Sequence, residues 1–413
     1  MIDKKQIPQH WELKTLGEVC YSTSGGTPNR SNSKFYKGSI PWVKSGELNR
    51  GLILDTEERI TEEAIKNSSA KIFPKGTLLI ALYGATIGKL AFLGIDAATN
   101  QAVCGIFKNE IINSYFLYHF LFYKKPSLVK QGIGGAQPNI SQGILKNLEL
   151  PIPPLPEQQA IVSKIEELFS ELENGRRQLQ IAQQQLKVYR QSLLKWAFEG
   201  KLTNKNVKEG ELPEGWKWVR VQDISIVSTG VTPLRSNILF WNKGNIPWIT
   251  SGALNNLFVD KAEEFISEMA LKEKNLKLLP KHSLLVALYG EGKTRGKCSE
   301  LLIESTTNQA IAGIVLREEF KQSKNFLKLF LLKNYNDIRR LSSGGVQPNL
   351  NLSIVKNTKL PFPSEEEQLS IVQELESKLT VCDKIEETIS QSLQQAEVLR
   401  QSILKKAFEG KLI

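Results

Sequence analysis

The chain is poor in residues that hold metals or attack substrates. Its 413 residues include three histidines and four cysteines. Cys20, Cys104, Cys298 and Cys382 lie far apart with no C-x-x-C pair, so neither a zinc site nor a disulfide framework is indicated, and packing roles are expected. His10, His119 and His282 have no partners at ligand or triad spacing and read as structural or exposed. No G-x-G-x-x-G follows a strand-like run, and no Asn/Asp-Pro-Pro-aromatic string marks an amino-methyltransferase. Long apolar runs are missing too. Leu78-Leu-Ile-Ala-Leu82 is far too short to span a bilayer, and Met1-Ile-Asp-Lys-Lys-Gln-Ile-Pro8 has no signal-peptide core, so a cytoplasmic protein without membrane contact is expected.

What the chain has in excess is positive charge and repetition. A formal charge of +11 and a pI near 9.2 favour a polyanionic partner, because each Lys or Arg beside a phosphate releases condensed counterions. The composition, 41% hydrophobic and 23% charged, is that of folded globular protein. Pro8-Gln-His-Trp11 returns as Pro213-Glu-Gly-Trp216, and Lys37-Gly-Ser-Ile-Pro-Trp42 as Lys243-Gly-Asn-Ile-Pro-Trp248. Ala81-Leu-Tyr-Gly84, Thr99-Asn-Gln-Ala102 and Gln137-Pro-Asn139 recur, in that order, as Ala287-Leu-Tyr-Gly290, Thr307-Asn-Gln-Ala310 and Gln347-Pro-Asn349. Ala197-Phe-Glu-Gly-Lys-Leu202 closes the first copy and Ala407-Phe-Glu-Gly-Lys-Leu412 the second. A unit of about 200 residues is therefore written twice.

Each copy opens with a mixed α and β head. Thr77–Leu82 and Ser283–Leu288 are expected strands. Asn113 or Ser114 is placed to cap a helix through Phe122, with Lys324–Leu332 as its counterpart. Pro156 suits a first helical turn and Glu157 its positive end. From there Ile161, Ile165, Leu168, Leu172, Gly175, Leu179, Ala182, Leu186, Tyr189, Leu193 and Trp196 step by four and three, the seam of a coiled coil. A shift of 210 gives Ile371, Leu375, Lys378, Cys382, Ile385, Ile389, Ser392, Ala396, Leu399, Ile403 and Lys406. The expected fold is α+β: two globular heads of mixed α and β (1–154 and 203–363) separated by two long antiparallel coiled-coil helices (155–202 and 364–413), related by an internal pseudo-two-fold axis. Such a helix is about 65 Å long. The carboxyl end should return to the amino end.

One string imitates nucleotide chemistry. Ala287-Leu-Tyr-Gly-Glu-Gly-Lys-Thr294 fits the loosest phosphate-loop pattern, but Arg295-Gly-Lys-Cys-Ser follows it in place of an amphipathic helix. A basic loop approaching phosphates, with Lys293, Arg295 and Lys297 answered by Lys89, is the expected reading.

The ordered set of motifs resembles the specificity subunit of type I restriction–modification enzymes. It comprises the Trp11 start, Gly26-Thr-Pro28, Ile40-Pro-Trp42 with Lys44-Ser-Gly46, Leu82-Tyr-Gly84, Asn100-Gln101, Gln137-Pro-Asn139, Leu150-Pro-Ile-Pro153, Glu157-Gln158 and the closing Ala197–Leu202 string. The second copy departs with Val231 for glycine and Thr250 for lysine. The resemblance implies a non-catalytic DNA-recognition subunit, each head reading one half of a split, asymmetric sequence in double-stranded DNA. It further implies two methyltransferase subunits and restriction–translocase subunits as partners. S-adenosylmethionine, ATP and Mg would sit on those partners, with no cofactor on this chain. Phosphate clamps and base readers are sought among Arg30, Lys44, Thr86 and Lys89 in head one, and Arg235, Lys293, Arg295 and Lys297 in head two. Gln101, Gln137, Asn139, Gln309, Gln347 and Asn349 carry amides suited to adenine, although amides shared by both copies also suit a scaffold role. Two rival classes remain: a coiled-coil adaptor with basic heads for protein or membrane, and a nucleotide-dependent enzyme using Lys293.

Overall fold

A computed structural model describes residues 7–131, 139–204, 207–208, 210–290, 293–341 and 349–413. The chain forms two compact units, Met1–Gln180 with Ser390–Ile413, and Ile181–Ile389. Each unit therefore takes in one half of each long helix, Leu155–Phe198 and Glu365–Phe408.

The first unit is built on a five-stranded sheet. Its order is Ser22–Ser24, Val103–Ile106, Leu78–Ala81, Leu90–Leu93 and Leu52–Ile53. All neighbours are antiparallel except the last pair. The second unit repeats the order with Ser225–Thr229, Ile311–Leu316, Leu284–Ala287, Cys298–Leu301 and Phe258–Val259. The central strand is apolar throughout because both of its faces are covered. Side chains alternate across a strand, so Leu78 and Ile80 join the core shared with the helices, while Leu79 and Ala81 join a second core with Val43 and Phe73. Leu284 and Val286 separate from Leu285 and Ala287 in the same way.

A smaller sheet carries the outer part of each unit. In the first it has four strands, Glu58–Ile60, Tyr36–Val43, Ala97–Thr99 and Ile72–Phe73. In the second the fourth strand shrinks to an isolated Leu279–Ser305 bridge. The expected head helix begins at Ser114, capped by Asn113, whose carboxamide oxygen accepts from the Tyr115 and Phe116 amides. It runs to Gln131, whereas its counterpart stops at Lys333 and a short second helix begins at Tyr335.

The Glu-Gln pair at the start of each long helix fastens that helix to its head. Glu157 accepts from the Trp11 indole N–H at 2.9 Å, and Glu367 from that of Trp216 at 2.9 Å. Gln158, fully buried, donates to the Pro153 and Ile111 carbonyls and accepts from the Asn113 amide. The Phe-Glu-Gly string ends each helix. Gly410, at φ +68°, packs so tightly on Pro8 that a Cβ there would come within 2.3 Å of the ring; Gly200 meets Pro213 at 2.2 Å by the same measure. Residues 410 and 8 are thus neighbours within the first unit.

Within the first unit Arg400 of the second long helix lies over the Phe169 ring of the first, 4.8 Å from its centre. Within the second unit, Arg190 pairs with Asp383 and with Glu386 at 3.6 Å. The partner number falls as the first helix advances, so the two run in opposite senses. The seam corrects the sequence reading in one respect. Gly175, Tyr189 and Trp196 face solvent, and Arg176, Arg190 and Ala197 turn inward instead. The second helix behaves alike: Ile385, Leu399 and Lys406 are exposed, Arg400 is half-buried and Ala407 is buried. Ile161 to Ala197 spans 36 residues in the ten steps for which the heptad takes 35. The buried stripe thus follows the 3.6 residues of a straight α-helix, not the 3.5 of a strict heptad.

Candidate nucleic-acid interface

The outer sheet of each head holds a strapped arginine. The Trp42 indole N–H donates to the Gly26 carbonyl at 3.1 Å, and the Trp248 indole to that of Val231 at 3.1 Å, fixing the Thr-Pro loop that follows. Arg30 lies over Tyr36 and Trp42, 4.8 and 4.9 Å from the ring centres, and donates to Glu58 at 2.6 Å. Arg235 lies over Trp241 and Trp248 at 3.9 and 5.0 Å and donates to Glu264. Those arginine hydrogen bonds hold both carboxyls below the ordinary glutamate range. Lys44 reaches Glu58 as well, at 3.1 Å, and lies 2.9 Å from the adjoining Glu57. Three nominated cations therefore have their charge matched on site, and they build the surface on which neighbours are displayed.

The nominated Gln101 and Gln309 tie loops. Each is exposed, and its carboxamide oxygen accepts from the hydroxyl of Thr27 or Thr232. Beside them only glycine fits at Gly25 and Gly230, where a Cβ would fall within 2.1 and 1.7 Å of Thr99 and Thr307.

The remaining nominees gather at the hairpin after the central strand. Ala81 donates to the Lys89 carbonyl at 2.9 Å and Lys89 to that of Thr86 at 3.0 Å. Ala287, Lys297 and Thr294 repeat this at 3.0 and 3.0 Å. Strands Leu90–Leu93 and Cys298–Leu301 follow at once. The Lys293–Thr294 string accordingly closes a β-hairpin and has no helix N-terminus to receive a phosphate group. The Lys293 side chain is exposed while its carbonyl accepts from the Tyr335 hydroxyl at 2.7 Å. The Arg295 carbonyl accepts from Arg339 at 2.6 Å, and Lys297 donates to Asn255 at 2.9 Å. Asn139 bridges Tyr83 at the hairpin base, and Asn349 stands exposed next to Leu350, whose amide donates to the Leu288 carbonyl at 3.1 Å. Gln137 and Gln347 lie outside the described residues. Each head thus collects its described nominees into two groups, one at the arginine strap and one at the hairpin.

Two features escaped the sequence reading. Lys37 and Lys243 are exposed at φ +62° and +54°, a backbone conformation that makes the Lys-Gly turn of the repeat project a cation in both heads. The second is a buried acid. Glu300 is 2.7 Å from Lys324, 2.8 Å from Lys328 and 2.9 Å from His282. Burial pushes its carboxyl up, but hydrogen bonds from both lysines and the imidazole prevail and hold it at about 2. His119, by contrast, is lowered to about 4 by burial and by the nearby Arg400 charge.

Two related heads, alike in scaffold and different in exposed residues, with cationic and amide-bearing loops, define a duplicated recognition protein. The chain belongs to the type I restriction modification DNA specificity domain family, whose model matches residues 8–183 and 213–395. Among curated relatives it is 27% identical to the type I restriction enzyme MjaIX specificity subunit of Methanocaldococcus jannaschii, over 91% of this chain and 89% of that one. It is 24% identical to the EcoKI specificity subunit of Escherichia coli K12, over 98% of this chain and 90% of that one. Two solved structures share its fold at 20% identity. One, from work on complex assembly and conformational transition of a type I R-M system, has a TM-score of 0.74 and covers 98% of this chain and 99% of its own. The other, the HsdS subunit of Thermoanaerobacter tengcongensis, has a TM-score of 0.65 over 98% of both.

Proposed function

We propose that the chain is the sequence-reading subunit of a type I restriction–modification complex and performs no catalysis itself. Head one (1–154) reads one half of a split, asymmetric duplex site and head two (203–363) the other; the spacer helices (155–202 and 364–413) set the unread gap. Two methyltransferase subunits and the restriction–translocase subunits assemble on it in the cytoplasm. S-adenosylmethionine, ATP and Mg belong to those partners. Among the described residues no helix is long and apolar enough to cross a membrane.

One observation carries this reading: the Trp–Glu anchors, glycine contacts and arginine straps recur in both heads while their exposed loops diverge, as two readers of different words require. Thr86, Lys89, Lys293, Arg295 and Lys297 suit phosphate contact from the hairpins; Asn139 and Asn349 suit base edges nearby, and Gln137 and Gln347 carry amides of the same chemistry. Arg30, Lys44, Arg235, Gln101 and Gln309 position the loops. The complex with its methyltransferase subunits should bind duplexes carrying its methylation sequence selectively, and lose affinity steeply between about 50 and 200 mM salt. Binding indifferent to sequence would favour a basic adaptor instead.

A further inference from the structure

The arginine strap borders a groove in each head, and the two grooves match in size but not in lining. The groove of head one is about 520 Å³ and that of head two about 530 Å³. Shared geometry aligns them. Arg30 answers Arg235, Glu58 answers Glu264, and the capping residues Asn32 and Asn237 precede equivalent turns. Around this common frame the exposed residues change character together. Head one presents Asn29, Ser33, Lys34 and Arg59; at the same places head two presents Leu234, Ile238, Leu239 and Phe265. Ile238 is 72% exposed and both leucines 62%, a degree of apolar exposure that marks a contact surface when side chains cluster. They do cluster. Ile238 and Phe265 line the groove with Trp241, whose indole N–H donates to the Leu234 carbonyl at 3.2 Å.

We propose that these twin grooves are base-reading sites of opposite chemistry, and that head two reads thymine by seating its 5-methyl group against Ile238 and Phe265. This rests on the DNA-reading function above. Thymine alone offers an apolar group in the major groove, and aliphatic and aromatic side chains are its partners. Lys37 and Lys243, projecting beside the grooves in both heads with no ion pair among the described residues, supply the shared phosphate contact that brings either groove to the duplex. Head one, whose groove holds Arg59 and Thr56 and whose preceding segment exposes Asn29, Ser33 and Lys34, reads hydrogen-bonding edges.

The test uses the full complex with its methyltransferase subunits and duplexes bearing its mapped methylation site. Deoxyuridine, which lacks only the 5-methyl group, replaces thymine one position at a time. At one or more positions of the head-two half-site, binding should weaken about fourfold for each methyl group removed. Substitution in the other half-site should have little effect. Ile238→Ser and Phe265→Arg, which install head one's residues, should abolish that discrimination and relax the methylation pattern in one half-site only. The proposal is overturned if no deoxyuridine position matters while binding stays sequence-selective, or if the head-two half-site contains no thymine. It is equally overturned if the variants impair assembly with the methyltransferase subunits and leave base preference intact. Absence of sequence-selective binding by the unaltered complex would instead overturn the function beneath it.

Discussion

The duplicated heads solve one packing problem in two chemistries. Phe92 in head one occupies the place of Glu300 in head two, opposite Leu78 and Leu284 in matching strand registers. Phe92 packs on Tyr115 and Tyr118, ring centres 4.9 and 5.6 Å away, where Glu300 gathers two lysines. The ionic version is the more fragile under substitution, because removing one partner strands the others. Glu300→Gln should cost head two about 2–4 kcal/mol in thermal unfolding, part of the penalty for a broken buried pair since Lys324 retains some solvent. The pH dependence follows from the depressed carboxyl. Its stabilisation is complete above the unfolded value near 4.5 and is lost as pH falls toward about 2. Acid titration of the chain followed by near-ultraviolet dichroism should show an unfolding component in that window, absent from the glutamine variant. Nothing local to Phe92 or Glu300 links the two, since one is apolar and the other charged. Only the strand registers show that they share a site.

At the level of elements, strands and helix starts were legible because their signals are local. Thr77–Leu82 and Ser283–Leu288 contain the observed strands Leu78–Ala81 and Leu284–Ala287, and Asn113 caps the helix as its side chain suggests. The long seam was legible as a seam but not in phase. A 3.5 period and a 3.6 period agree over two turns and part by a full position over ten, so Tyr189 and Trp196 fall inside by the heptad and stand outside in the structure. Leu193→Ala should therefore destabilise by about 2–4 kcal/mol, as core truncations do, whereas Tyr189→Ala should stay within about 0.5 kcal/mol. Comparing the melting temperatures of the two variants distinguishes the phases; equal losses would restore the strict heptad.

For the whole molecule, the ruler role assigned to the spacer makes a length prediction. Deleting one matched stretch of seven residues from both long helices removes about 10 Å of each and returns the helical phase to within about 20°. Mapped methylation sites should retain both half-sites and lose at most about three base pairs of the unread gap, at 3.4 Å per pair. Unchanged spacing would separate the spacer from gap setting. A deletion in one helix alone should abolish assembly, since the seam would lose register.

The sequence by itself determined the duplication, the alternation of heads and helices, and the anchors that recur as strings. Each of these is written in short segments whose physics is local: a strand's alternation, a helix cap, a turn repeated as nearly the same string. Tertiary structure alone decided which face of each long helix is buried, which nominated cations are already held by Glu58 and Glu264, and that two equal grooves flank the arginine straps. Those properties depend on side chains brought together from distant segments. A guanidinium reads as a phosphate clamp until the fold sets a carboxylate 2.6 Å away, as it does for Arg30.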